Sequence, residues 1–147
     1  MPRLGWPHYP NAATLWLDEF QSIDERVLGP AAISGQRYSF VFPLQSITPT
    51  HGARRQFTLA GGVYRLNVLG NTSFDEVIIA WYIDDALVLS DQDWYSDVTV
   101  RNVLQSGTVV VPAGGTHWLT FVVTGQNVLS NDTWRLSLTK VWFDQAY

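Results

Sequence analysis

The sequence predicts an all-β fold: an antiparallel β-sandwich of jelly-roll type with an extended N-terminal arm and one short helix. Three observations carry this. Segments rich in β-branched and aromatic residues recur with turn residues between them at intervals of about 8 to 12 residues, the spacing of sandwiches and jelly rolls. Residues 63–69 alternate, with Tyr64, Leu66 and Val68 on one side and Arg65 and Asn67 on the other, the period of a half-buried strand. The opening MPRLGWPHYPN holds three prolines, a composition that resists helix and strand alike. A chain of 147 residues fits one domain and buries roughly 70% of its unfolded surface on folding.

The arm covers residues 1–11 and contains Trp6 and Tyr9. From Thr14 the pattern changes: Trp16, Phe20, Ile23 and Val27 lie four, three and four apart, Asp18 and Glu19 come early, Arg26 comes late, and Gly29-Pro30 supplies a stop. This predicts an amphipathic helix that either caps the sandwich or docks on a neighbour. Residues 1–35 thus form the arm and helix, and residues 36–147 the β-domain. Within it, strands are predicted over 38–42, 56–59, 63–69, 77–83, 86–89, 98–104, 108–111, 117–123 and 133–143. The run 77–83 is apolar throughout, as in a strand covered on both faces. In the last strand Trp134, Leu136 and Leu138 share a face and Lys140 falls where the next inward residue belongs, so a bulge near Thr139-Lys140 is expected to turn Val141 and Phe143 inward.

The composition bounds the chemistry. Without cysteine there are no disulfides and no thiolate metal sites. Thirteen acidic against nine basic residues, a net charge of −4, argue against nucleic acid as partner. No apolar run approaches the ~20 residues that span a bilayer, so no membrane partner is expected. His8, His51 and His117 fall in no metal-binding or triad spacing, and no nucleophile elbow or phosphate loop is present. Asp91-Gln92-Asp93 opens like a calcium loop, but Trp94, Tyr95 and Ser96 follow where further ligands and a glycine belong. The expectation is a protein that is not an enzyme, with no catalytic residue, no cofactor and no metal.

Aromatic content points elsewhere. Seven Trp, six Tyr and seven Phe exceed what a core of this size needs, and rings with a polar tip are enriched at interfaces. Trp81, Tyr82, Trp94, Tyr95, Trp118 and Trp134 are candidates for stacking on sugar rings if exposed, against the plainer alternative of core packing.

The segments Gly62-Val63-Tyr64-Arg65-Leu66-Asn67-Val68, Trp81-Tyr82-Ile83-Asp84, Gln92-Asp93-Trp94-Tyr95-Ser96, Val111-Pro112-Ala113-Gly114-Gly115-Thr116-His117 and Leu136-Ser137-Leu138-Thr139-Lys140-Val141-Trp142 together resemble a β-sandwich module of tailed-bacteriophage structural proteins. The resemblance spans residues 57–143, and its motifs also look like those of carbohydrate-binding jelly rolls. It implies a virion component, most similar in plan to capsid decoration, or cement, proteins. These sit on the capsid surface, bind across subunits of the major capsid protein and are commonly homo-oligomers, with trimers favoured. On that reading Trp6, Tyr9, Trp16 and Phe20 are the candidate anchors. The alternative is a carbohydrate- or receptor-binding module of a phage tail.

Overall fold

The computed structural model describes residues 14–24, 26–33, 37–42, 51–130 and 134–145. Among them are eleven strands: β1 (Leu15–Trp16), β2 (Gln21–Ser22), β3 (Leu28–Ala32), β4 (Tyr38–Val41), β5 (Gly52–Leu59), β6 (Gly62–Thr72), β7 (Ile78–Ile83), β8 (Ala86–Asp93), β9 (Val100–Val111), β10 (Gly115–Gly125) and β11 (Arg135–Gln145). They form two sheets. Sheet 1 runs β9-β6-β11-β4-β3, with β1 also paired to β11, and sheet 2 runs β2-β5-β10-β7-β8. Every pairing within the sheets is antiparallel.

The pairings nest. β7 bonds to β8, β6 to β9, β5 to β10 and β4 to β11, so a long hairpin has been wrapped around itself with its two arms passing from sheet to sheet together. That wrapping is the jelly roll, and it is the fold class expected. The turns at Gly61-Gly62 and Pro112–Gly115 are therefore corners between sheets and not hairpin ends. They lie against each other: Tyr64 Oη donates to the Ala60 carbonyl at 2.7 Å, and a Cβ on Gly61 would come within 3.1 Å of Ala113 Cα.

Alternation fills the space between the sheets. From sheet 1 come Phe40, Tyr64, Leu66, Val68, Leu136, Leu138, Val141 and Phe143; from sheet 2 come Phe57, Ile79, Trp81, Leu119, Phe121 and Val123. Phe121 is the hub, with ring centroids 5.2 Å from Phe40, 5.4 Å from Trp81 and 6.1 Å from Phe20, and Phe57 stacks on Phe143 at 5.0 Å. Each such aromatic pair adds about 0.5–1.5 kcal/mol beyond the area it buries. The bulge expected in the last strand is present: the register with β6 shifts between Leu138 and Lys140, and both Val141 and Phe143 are wholly buried.

Two elements differ from expectation. The helix predicted between Thr14 and Gly29 is absent, and a single 3₁₀ turn (Leu17–Glu19) stands in its place between β1 and β2. The residues that go inward are Leu15, Leu17, Phe20 and Val27, whereas Trp16 and Ile23 are half-buried. β1 joins sheet 1 opposite Lys140 and Val141, and β2 joins sheet 2 opposite Ala53 and Arg54, so these few residues bridge the layers. Pairing with two separate sheets outweighs the weak preference of a short isolated helix. Among the described residues the sheets accordingly begin at Leu15, inside the segment set apart by composition. The strands predicted over 98–104 and 108–111 are likewise one strand, β9. Gly107 marks a close approach and not a break, since a Cβ there would lie 2.5 Å from Leu89 Cδ1 of β8.

A buried acid pair ties the β6–β7 connection to β11. Glu76 is 1% exposed, and its Oε1 accepts from the Ser137 N–H at 2.7 Å. Asp75 is also buried and pairs through Oδ2 with Arg135 at 3.4 Å. Burial first, and then the Asp75 carboxylate beside it, push the Glu76 carboxyl up to about 9, outweighing the Ser137 hydrogen bond and Arg135, which pull it down. Glu76 therefore keeps its proton in the folded protein at pH 7 and loses it in the unfolded chain. A group raised in this way contributes stability that is complete below its unfolded value and is lost as pH rises through its folded one. Melting temperature should fall as pH is taken from about 5 to about 9. Glu76→Gln, which keeps the shape and the hydrogen-bonding capacity, should flatten that slope; parallel slopes for the two proteins would show that Glu76 does not titrate.

Candidate ligand-binding face

Strands alternate their side chains, so the residues between those of the core on β5, β10 and β7 point outward from sheet 2. Register places them in rows. Gln21, Arg54, Thr120, Tyr82 and Leu87 face one another across β2, β5, β10, β7 and β8, and Trp118 lies opposite Gln56 one step along. Cross-strand partners share a face. Trp118 and Tyr82 are half-buried, with Gln21, Arg54, Gln56, Thr58 and Thr116 exposed around them. The Arg54 guanidinium lies 4.3 Å from the Trp118 ring centroid, and the Thr58 and Thr116 hydroxyls are 3.1 Å apart.

The end of this face is held by an ionic turn. Asp84, at φ 54° after β7, accepts from the Trp118 N–H at 3.0 Å through Oδ1 and lies 2.9 Å from His117 Nδ1 through Oδ2. His117 Nε2 sits 2.6 Å from the Ala113 carbonyl. Both ring nitrogens thus face acceptors, an arrangement that both can satisfy only when both carry protons. The Asp84 hydrogen bond, followed by that of Ala113, raises the His117 pKa, while the Trp118 N–H, followed by His117, lowers that of Asp84. The pair is ionised between those two values and fixes the backbone from which Trp118 projects.

Of the six rings singled out for stacking on sugars, one of which, Trp134, is buried, Trp118 and Tyr82 lie on this face. Trp81 and Trp94 do not: both are fully buried, and their indole N–H groups donate at 3.0 Å to the same acceptor, Gln92 Oε1. They are core residues and offer no face to a ligand. Tyr95 is half-buried but sits near Ser73 beside the start of β7, whereas Trp118 adjoins its end, so the two rings are not brought together. The calcium-like run is taken apart in the same way. Gln92 turns inward to the two indoles; Asp93 caps the Tyr95 N–H at 2.9 Å and accepts from Asn127 at 3.0 Å. Among the described residues no group of three His, Cys, Asp or Glu side chains could hold a metal ion.

The candidate anchors fare unevenly. Trp6 and Tyr9 lie outside the described residues. Phe20 is 1% exposed and packs on Trp81 and Phe121, so it belongs to the core and is not free to anchor a partner. Trp16 is half-buried on the outer side of sheet 1. The acid with the raised pKa, Glu76, is sealed beneath the sheet and is not placed to meet a substrate. Missed by sequence reasoning were the pairing of Arg54 with Trp118 and the role of Gln92. That Tyr82 and not Trp81 faces outward, and that Arg54 meets Trp118, both depend on which strands lie alongside.

No family model matches the chain, and no curated protein matches it. Among solved structures, the chain is similar to part of a Paenibacillus xanthan lyase, at 19% identity and a TM-score of 0.56, over 99% of this chain and 13% of that one. It is also similar to part of an exo-β-1,3-galactanase from Phanerochaete chrysosporium solved with β-1,3-galactotriose, at 11% identity and a TM-score of 0.46, over 89% of this chain and 29% of that one. The chain spans a small fraction of both proteins, and the lyase likeness shows the β-sandwich fold.

Because Gln92 Oε1 is the shared acceptor of two buried indole donors, its removal strands both. Gln92→Leu should cost about 2–6 kcal/mol, from roughly 1–3 kcal/mol for each unsatisfied donor, read by urea denaturation. A loss below about 1 kcal/mol would mean that the indoles find other acceptors.

Proposed function

We propose that this chain is a non-catalytic binding domain that takes a saccharide chain on the outer face of sheet 2, with Trp118 and Tyr82 as the stacking rings. The observation that carries this is the grouping of these two rings with Arg54, Gln21, Gln56, Thr58, Thr116 and Thr120 on one solvent-facing side. Sugar rings present apolar C–H faces and a rim of hydroxyls. An indole and a phenol supply surfaces for the first, and amides, hydroxyls and a guanidinium supply partners for the second. A sheet surface accommodates an extended polymer without a deep pocket. The reading rests on this face and not on the lyase likeness, which concerns fold. Screening the protein on a glycan array and titrating the best ligand tests it. Trp118→Ala and Tyr82→Ala should each weaken binding by about tenfold, the size of one stacking contact, with melting unchanged. Binding of the Trp118→Ala protein at parental affinity, or an array without hits, would refute it.

A second reading is favoured by Trp16, which stands half-buried on the outer side of sheet 1 next to the N-terminal segment. In it the protein is a capsid decoration protein of a tailed phage, bound across major capsid subunits through that segment, as the phage resemblance implies. Residues 1–13 precede β1 and lie outside the described residues. On this reading a protein without them melts like the parent yet no longer co-sediments with expanded heads of the phage that encodes it. Undiminished co-sedimentation would exclude the segment as anchor.

A further inference from the structure

The outer face of sheet 1 holds a second constellation. Lys140 is the chain's one lysine. The register shift after Leu138 turns it outward, opposite Trp16 of β1 on one side and Leu69 of β6 on the other. Trp142, two residues on, shares this face. Lys140 Nζ lies 5.3 Å from the Trp16 ring centroid and 5.2 Å from that of Trp142, and all three side chains are half-buried. Among the described residues no carboxylate lies within ion-pair distance of this ammonium, whereas Arg26, Arg55 and Arg135 pair with Asp24, Glu19 and Asp75. The acid further along β11, Asp144, accepts from Asn67 Nδ2 at 3.0 Å and has Arg65 opposite it. On the outer face Arg65 thus stands opposite Asp144, while Lys140 has Trp16 and Leu69 opposite it and no acid.

We infer that Lys140, Trp16 and Trp142 form a second binding site, for an anionic saccharide whose ring carries a carboxylate, as in a uronic acid. Two indole faces hold the ammonium by cation–π attraction without neutralising it, so its position is fixed and its charge remains available. A neutral sugar could stack there but would leave the charge unanswered; a simple anion would pair with the charge but gain nothing from the rings. A pyranose bearing a carboxylate satisfies both, its C–H face on an indole and its carboxylate on Nζ, a charge-assisted contact. This site is on the opposite sheet from Trp118 and stands independently of that face.

The test is affinity electrophoresis of the full chain in gels containing polygalacturonate or, in parallel, the neutral glucan laminarin. Retardation by polygalacturonate that weakens with added salt is expected. Lys140→Gln should reduce it about tenfold, Lys140→Arg should retain most of it, and Trp142→Ala should reduce it. Arg101→Gln removes an exposed positive charge from β9, which is separated from β11 by β6, and should leave retardation unchanged. The proposal is overturned if the parent is not retarded by polygalacturonate, or if Lys140→Gln is retarded as strongly as the parent. It is equally overturned if Arg101→Gln loses as much, which would reduce the effect to net charge, or if Lys140→Gln loses laminarin binding to the same degree. Should Lys140→Gln melt below the parent, Lys140→Arg decides: a folded Lys140→Arg protein that is not retarded also overturns it.

Discussion

One displaced residue in β11 governs both the interior and the exterior of sheet 1. Up to Leu138 the even-numbered side chains of this strand point into the sandwich; after the register shift the odd-numbered ones do. Without it, strict alternation would carry Lys140 into the core and leave Val141 and Phe143 facing water. A lone buried ammonium is among the costliest things a small domain can contain, and the stack of Phe143 on Phe57 would be lost with it. β11 is bonded to β6 on one side and to β4 and then β1 on the other. The shift therefore sets the parity against which three neighbouring strands register.

Sheet 2 solves a different problem, which is how to bury indoles without stranding their donors. Trp81 and Trp94 are the largest buried side chains, and each brings an N–H that water would otherwise satisfy. One amide oxygen, on Gln92, answers both. With the bulky rings committed inward, the opposite parity of β10 and β7 is left to Trp118, Thr120 and Tyr82, with the Asp84–His117 pair holding the strand ends in place. Packing thus divides the aromatic residues into those that stabilise the domain and those that can meet a partner.

The sequence revealed what depends on near neighbours and hid what depends on distant ones. The alternation of residues 63–69, and the break in that of the last strand at Lys140, were legible because parity along one strand is a local property. Residues 77–83 are apolar on both parities, so nothing within that run separates the inward Trp81 from the outward Tyr82; only the strand beside it, with Gln92, decides. The segment from Trp16 to Val27 mimicked a helix because its apolar spacing fits either a single turning element or two short strands separated by a bend. Partners on two different sheets, more than thirty residues away in the chain, chose the second. Residues 98–104 and 108–111 read as two strands, and the Gly107 between them reveals its close-packing role only once the facing side chain, Leu89, is placed.

The nested pairing has a consequence in time. β7 and β8 are joined by a short turn and can meet as soon as both exist, but β1 and β4 are matched with β11, nearly a hundred residues and more downstream. On a ribosome the earliest strands therefore emerge long before the strand that completes them. Until β11 is released, β6 exposes one bonding edge and half of the interior lacks its lid, so the domain can close only once β11 has emerged. Slow, late, all-at-once closure is what such distant pairing dictates. During that wait the nascent chain must be kept from pairing its open strands with those of its neighbours.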